Sequence, residues 1–209
     1  MKNILCYGDS NTWGYKPFSG NRFSIIERWP GVMRKLLNKD YWVIEDGLCG
    51  RTTVWDDPLS EGRNGSSYLI PCLEVNKPLD LVIIMLGTND LKARFGLPMC
   101  DVAEGISLLI KIILNSETEN KAKAPKVLLV APPRITSLTE FSDLFAGGEE
   151  KSLLFSQYYK DVAQKLGCDF FDAGSVINSM LPDGIHFGFK EHKIFGEALA
   201  VKVKEIFSS

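Results

Sequence analysis

The chain has 209 residues, 45% of them hydrophobic and 24% charged, a composition that is typical of globular proteins and excludes disordered or fibrous ones. Its formal net charge of -2 creates no long-range field that would attract polyanions, so we expect neither nucleic acid nor a membrane surface as a partner. A chain of this length buries one core, so we predict a single domain over residues 1–209.

The cysteines and the N-terminus bear on the compartment. Five cysteines are odd in number, widely spaced and free of any C-x-x-C pair, which favours neither a disulfide framework nor a zinc site. The apolar run before Asp9 is too short for the core of a signal peptide. No apolar stretch approaches the ~20 residues that span a bilayer. We therefore expect a cytoplasmic protein with no metal site.

Apolar runs alternate with segments of helical spacing along the chain. In chain order we predict strand Asn3 to Tyr7, helix Arg28 to Leu37, strand Trp42 to Glu45, strand Leu81 to Leu86, helix Val102 to Leu114, strand Lys126 to Ala131, helix Glu149 to Leu166, a weaker strand Asp169 to Phe171, and helix Lys190 to Ile206. Continuous apolar runs are typical of parallel strands that are covered on both faces. This α/β pattern predicts a three-layer α/β/α sandwich with five strands.

Glycine and small polar residues follow the first three predicted strands, where α/β proteins bind their ligands. These stretches are Gly8-Asp9-Ser10-Asn11, Gly47-Leu48-Cys49-Gly50 and Gly87-Thr88-Asn89-Asp90. A fourth stretch, Asp183-Gly184-Ile185-His186, precedes the last predicted helix. We expect the four stretches to meet at one edge of the sheet.

Three of these residues have the chemistry of a nucleophile, a base and an orienting group. A serine hydroxyl becomes a nucleophile when a histidine removes its proton, which suggests Ser10 with His186. Asp183, three residues before His186, is near enough to orient the imidazole and to stabilise its charged form. The other histidine, His192, lies in a charged stretch, and we predict that it is a solvated surface group.

Acyl transfer also requires hydrogen-bond donors for the oxygen that becomes negative in the tetrahedral intermediate. Three candidates follow three different strands: the backbone N-H groups of Ser10 and Gly50, and the side-chain amide of Asn89. Each also has a structural interpretation. Ser10 could cap a helix, Gly50 could supply a positive φ angle, and Asn89 could hold a turn.

The four stretches together resemble the conserved blocks of the GDSL, or SGNH, hydrolases, with Asn11 where leucine is usual. The resemblance implies a flavodoxin-like sheet, no cofactor, a catalytic triad of Ser10, His186 and Asp183, and an oxyanion hole of Ser10, Gly50 and Asn89. The likeness is greatest to the bacterial arylesterase and acyltransferase branch, which includes perhydrolase-like members. It implies a serine esterase that hydrolyses short-chain acyl or aryl esters of small molecules, with acyl transfer to alcohols or peroxide and assembly into homo-oligomers.

Several residues are candidates for the substrate pocket, although large apolar side chains more often belong to the core or to subunit contacts. They are Asn11, Trp13, Trp55, Phe141, Phe145 and Ile185. The segment from Pro132 to Gly148 is long enough to form a lid or an interface. Cys49 is a rival nucleophile, but no second histidine is placed to activate it, and we expect it to be a buried small residue.

Other functions remain open from the sequence. The same triad would serve a carbohydrate acetylesterase or a thioesterase. A flavodoxin-like fold also binds mononucleotides, which allows a binding module without catalysis. A non-catalytic interaction protein is the third alternative.

Overall fold

A computed structural model describes residues 1–116, 124–177 and 183–208 and contains a parallel sheet between two layers of helices. The strands are β1 (Lys2–Gly8), β2 (Tyr41–Gly47), β3 (Leu81–Met85), β4 (Lys126–Ala131) and β5 (Asp169–Asp172). Their spatial order is β2-β1-β3-β4-β5, and every neighbouring pair is parallel. The predicted three-layer α/β/α sandwich with five parallel strands is confirmed.

The register of the sheet brings the loops after its central strands to one edge. Gly8 at the end of β1 is paired with Gly47 of β2 on one side and with Met85 of β3 on the other. The chain crosses from one side of β1 to the other between β2 and β3, and a ligand crevice forms at such a crossing point. Three of the four sequence stretches therefore begin side by side.

Helices cover both faces of the sheet. They are α1 (Ser10–Trp13), α2 (Trp29–Leu37), α3 (Gly65–Val75), α4 (Met99–Leu114), α5 (Gly148–Ser152), α6 (Phe155–Leu166) and α7 (Phe189–Ser208). Successive residues of β3 alternate between two cores: Val82 packs with residues of α3, α4 and α6, and Ile83 packs with residues of α2 and α7. Within the described ranges, every helix is too short or too polar to span a lipid bilayer.

Three helical segments differ from the sequence prediction, and the first is the short helix α1, which was not predicted as an element. Helix α3 was not predicted, because it contains Pro71 and exposes apolar residues such as Ile70 and Val75, so it lacks an amphipathic pattern. The predicted helix from Glu149 to Leu166 is divided into α5 and α6.

The prediction for His192 was wrong. Its side chain is fully buried, and its Nδ1 accepts a hydrogen bond from the backbone N-H of Trp29 at 3.2 Å. The rings of Phe23 and Phe187 pack edge-on against it. Burial lowers its pKa to about 3. The charged neighbours of His192 in sequence concealed that it lies on the face of α7 that packs against α2.

Candidate active site

Ser10 is the first residue of α1 and directly follows the turn that ends β1. The cap of this short helix is Asp9, whose carboxylate accepts the N-H of Asn11 at 2.9 Å. The capping role considered for Ser10 therefore belongs to its neighbour. The side chain of Ser10 lies at a small cavity, and only 6% of the residue is exposed.

Two hydrogen bonds connect Ser10, His186 and Asp183 in a line. Ser10 Oγ lies 3.0 Å from Nε2 of His186, and Nδ1 of His186 lies 2.8 Å from Oδ2 of Asp183. The other oxygen of Asp183 accepts the backbone N-H groups of Ile185 and His186, at 2.9 and 2.8 Å. Burial alone would raise the pKa of Asp183, but the hydrogen bonds and the imidazole outweigh it, and the pKa is lowered. The arrangement suits a hydroxyl, a base and a carboxylate that orients the base.

The imidazole of His186 is held by the rings and the turn around it. Tyr15 packs on it with ring centroids 4.2 Å apart, and Phe141 meets it edge-on at 5.6 Å. Two residues earlier, Gly184 has a φ of +87°, and a β-carbon there would collide with the carbonyl of Thr136. Only glycine fits this turn without strain.

Both remaining oxyanion candidates line the same cavity. Asn89 donates one amide hydrogen to the carbonyl of Arg51 at 3.2 Å, which leaves the second amide hydrogen available. Gly50 has a φ of +82°, so its structural interpretation also applies. The loops after β2 and β3 are joined because Asp90 accepts hydrogen bonds from the backbone and the hydroxyl of Thr53. Burial raises the pKa of Asp90 to about 7.

The cavity beside Ser10 has a volume of about 190 Å³. In addition to Ser10, His186, Gly50 and Asn89, its walls include Tyr15, Lys92, Phe141, Leu144, Phe145 and Ile185. Three of the six predicted pocket residues, Phe141, Phe145 and Ile185, are therefore at the cavity. The first two belong to the segment from Pro132 to Gly148, which contributes a wall of the cavity.

The other three predicted pocket residues lie elsewhere. Asn11 is buried, and its amide is bonded to the backbone of the loop that carries His186. Trp13 lines a separate cavity and packs under the guanidinium of Arg22 at 5.0 Å. Trp55 lies in the loop between β2 and α3. Its indole N-H is buried and has no hydrogen-bond partner in the described part of the chain. The sequence could not distinguish these three residues from the residues that line the cavity, because their apolar or amide side chains would suit either place.

Sequence reasoning missed two polar lining residues, Tyr15 and Lys92. Lys92 is 7% exposed, and its ammonium lies 3.0 Å from the carboxylate of Asp57. A signal for Lys92 was present, because it follows the strand-end stretch that contains Asn89 and Asp90 by only two positions. Tyr15 lies in a loop without any comparable pattern.

Cys49 is only partly buried and lines the cavity, contrary to the expectation that it is a buried residue. Burial raises the pKa of its thiol to about 11, so the thiolate is scarce near neutral pH. Among residues 1–116, 124–177 and 183–208, no three His, Cys, Asp or Glu side chains form a group that could hold a metal ion.

Residues 6–193 of the chain match the model of the GDSL-like lipase/acylhydrolase family. An aryl esterase from M. smegmatis is 44% identical, with 98% of this chain and 99% of that chain covered and a TM-score of 0.95. A carbohydrate acetylesterase from Sinorhizobium meliloti is 40% identical, with 99% and 100% covered and a TM-score of 0.96.

A lipase/acylhydrolase from Enterococcus faecalis, at 20% identity and a TM-score of 0.69 over 98% of this chain and 96% of that chain, shares the fold. No curated protein sequence matches the chain.

Proposed function

Since the chain belongs to the GDSL-like lipase/acylhydrolase family and is a carboxylic ester hydrolase, we propose that it cleaves short-chain acyl and aryl esters at Ser10. The observation that carries this proposal is the pair of hydrogen bonds, 3.0 and 2.8 Å long, that joins Ser10 through His186 to Asp183 beside a cavity. Family membership favours an ester hydrolase over a mononucleotide-binding module or an interaction protein.

The geometry supports the following mechanism. His186 removes the hydroxyl proton as Ser10 Oγ attacks the ester carbonyl, and Asp183 stabilises the imidazolium. The N-H groups of Ser10 and Gly50 and the amide of Asn89 donate to the carbonyl oxygen as it becomes negative. His186 then gives the proton to the departing alcohol, which leaves an acyl group on Ser10. Water attacks this acyl-enzyme by the same route and releases the acid.

The size of the cavity favours small acyl groups. Its volume of about 190 Å³ is below the roughly 300–1,000 Å³ of sites for drug-sized ligands. We expect acetyl and butyryl esters of 4-nitrophenol to have a higher kcat/KM than the octanoyl ester. A clear octanoyl preference would contradict this part of the proposal.

The nucleophile is tested by two matched variants. Ser10→Ala should abolish turnover of 4-nitrophenyl acetate, because it removes the hydroxyl that lies 3.0 Å from Nε2 of the base His186. Cys49→Ala is the control, since it removes the second nucleophilic side chain of the cavity but not the hydroxyl. Loss of activity in Cys49→Ala with retention in Ser10→Ala would reverse the assignment.

We also propose that the acyl-enzyme transfers its acyl group to alcohols or peroxide. The apolar walls formed by Phe141, Leu144 and Phe145 support this, because they would reduce the advantage of water over an organic acceptor. With a short alcohol in excess, a new ester should form at a rate measurable by gas chromatography. Hydrolysis products alone would rule out transfer.

A second candidate substrate class is acetylated carbohydrate, and the 40% identity to a carbohydrate acetylesterase favours it. Release of acetate from peracetylated glucose or xylose should then exceed release from phenyl acetate at equal concentration. An acetyl thioester in the same panel tests the thioesterase alternative.

We propose a homo-oligomer in the cytoplasm. Exposed apolar residues on and beside α3, including Leu59, Ile70 and Val75, support assembly, and five free cysteines are consistent with a reducing compartment. Light scattering should give a mass of two or more times the 23.3 kDa of one chain. Cell fractionation should recover the protein with cytoplasmic markers.

A further inference from the structure

Two cationic side chains approach Gly50 from the same direction. The position that a β-carbon of residue 50 would occupy lies 3.4 Å from Nε of Arg63 and 3.8 Å from Nζ of Lys92. Because residue 50 is a glycine, no side chain fills the space between them. Gly50 and Lys92 both line the cavity beside Ser10, and Arg63 lies next to Gly50, outside the cavity wall.

Neither Lys92 nor Arg63 has a carboxylate of its own among the described residues. The carboxylate of Asp57 is shared by Lys92, at 3.0 Å, and Arg94, at 3.5 Å, so one anion faces two cations. Arg63 has no ion pair within the described residues, which adds a third positive charge. Cations without a carboxylate of their own would attract an anion.

Two further carboxyl groups are adjacent to site residues in sequence, but both are engaged elsewhere. Asp9 accepts the backbone N-H of Asn11, and Asp90 accepts hydrogen bonds from Thr53. Both are fully or almost fully buried. Neither is hydrogen bonded to Lys92 or Arg63 within the described part of the chain.

The ammonium of Lys92 also has unused hydrogen-bonding capacity. It carries three N-H donors, and Asp57 is its one hydrogen-bond acceptor among the described residues. Lys92 is 7% exposed and lines the cavity in which a substrate would bind. Buried charged donors are costly when left unpaired.

We propose that Lys92 and Arg63 bind a negatively charged group of the substrate, which makes anionic esters the preferred substrate class. This inference rests on the proposed esterase function of Ser10. An ester with a carboxylate on its acyl or its alcohol part supplies the oxygens that Lys92 lacks. The charge of the cations would also speed the approach of such an ester.

Two pairs of matched esters test the proposal, one for each part of the substrate. Monomethyl glutarate and dimethyl glutarate differ by a charge on the acyl side. 3-Acetoxybenzoate and methyl 3-acetoxybenzoate differ by a charge on the alcohol side. Within each pair, the neutral ester reports any general loss of activity. The quantity to measure is the kcat/KM of the charged ester divided by the kcat/KM of its neutral partner.

In Lys92→Met, which keeps the length of the side chain, this ratio should fall about 10-fold in at least one pair. Arg63→Met should lower the same ratio, and because Arg63 is only partly buried this variant tests the idea even if Lys92→Met folds poorly. The control is Arg94→Met, which removes a positive charge from Asp57 at a residue outside the cavity wall. The control should change the ratio less than Lys92→Met, and added salt should reduce the ratio in the wild type.

An unchanged ratio in both Lys92→Met and Arg63→Met would overturn the inference, because the cations would then not bind a substrate anion. If the ratio is unchanged while both esters of a pair lose activity equally, the cations act on the oxyanion or on folding instead. If the wild type still hydrolyses the neutral esters, the esterase function proposed for Ser10 stands even when the anion-binding inference fails. If the wild type hydrolyses none of the four esters, both proposals are overturned.

Discussion

The side-chain oxygen of Asn11 accepts the backbone N-H of Phe187 at 2.8 Å. Its amide nitrogen donates to the carbonyl of Ile185 at 3.1 Å. The residue after Ser10 is thereby bonded to the residues on both sides of His186. Asn11 thus holds the nucleophile and the base next to each other, although it lies outside the cavity wall.

We expect Asn11→Ala to weaken both folding and catalysis. It leaves two buried backbone groups unpaired, which should lower the free energy of unfolding by about 2 kcal/mol. The kcat should fall as well, because the loop that carries His186 loses its attachment to Ser10. Urea unfolding and ester kinetics check the two effects. Asn76→Ala, which breaks a hydrogen bond within the end of α3, is the control and should leave kcat unchanged.

We expect Asp183→Asn to preserve the loop but disable the base. The amide oxygen can still accept the N-H groups of Ile185 and His186, whereas the amide nitrogen would present hydrogens to Nδ1. The imidazole would then carry its proton on Nε2 and could not accept one from Ser10. The kcat should fall on the order of 10³- to 10⁴-fold, with little change in Tm. A loss below about 10-fold would contradict the orienting role.

We expect Asn89→Ala to reduce kcat by about 10²- to 10³-fold with a smaller change in KM, because the amide should donate mainly to the developing negative charge. Its bond to Arg51 predicts some loss of stability too. Kinetics well below the Tm of the variant separate the two effects. Equal losses in kcat and in substrate affinity would argue against the oxyanion role.

The burial of His192 predicts that the free energy of unfolding depends on pH. Its pKa falls from 6.5 to about 3 on folding, so below pH 6.5 the unfolded chain gains a proton there that the folded chain lacks. The free energy of unfolding should therefore decrease as the pH drops from 6.5 towards 3, by up to about 1.4 kcal/mol per unit.

His192→Asn supplies the comparison, since the amide oxygen keeps an acceptor for the N-H of Trp29. The stability difference between wild type and variant should shrink on acidification when urea unfolding is followed at several pH values. A difference that is constant from pH 7 to pH 4 would mean that His192 does not titrate as its burial implies.

The central strands β1, β3 and β4 were predictable because buried parallel strands are continuous apolar runs. The prediction for β4 agrees with the structure at both ends, and β1 extends one residue further at each end. Helix α3 was not predictable from periodicity, because it contains Pro71 and its apolar residues are not confined to one face. Helical spacing of apolar residues reveals a helix only when those residues lie on one face.

The sequence indicated which residues could take part in catalysis more readily than it indicated which residues lie close together. Ser10, Asn89 and His186 follow strands or precede a helix in recognisable stretches, and they line one cavity. Lys92 and Tyr15 join them through the course of loops that no local rule describes. His192 was misjudged because its sequence neighbours are charged, while its own position on α7 faces the core.

The two outermost strands bear on how copies of this chain can associate. Strand β5 has an aspartate at each end, and β2 carries Glu45 and Asp46, which pair with arginines. A strand from another molecule that paired with either edge would have to strip water from these carboxylates or displace their partners. The charged edges disfavour edge-to-edge growth of the sheet into fibres. We therefore expect copies of the chain to associate through helix faces instead.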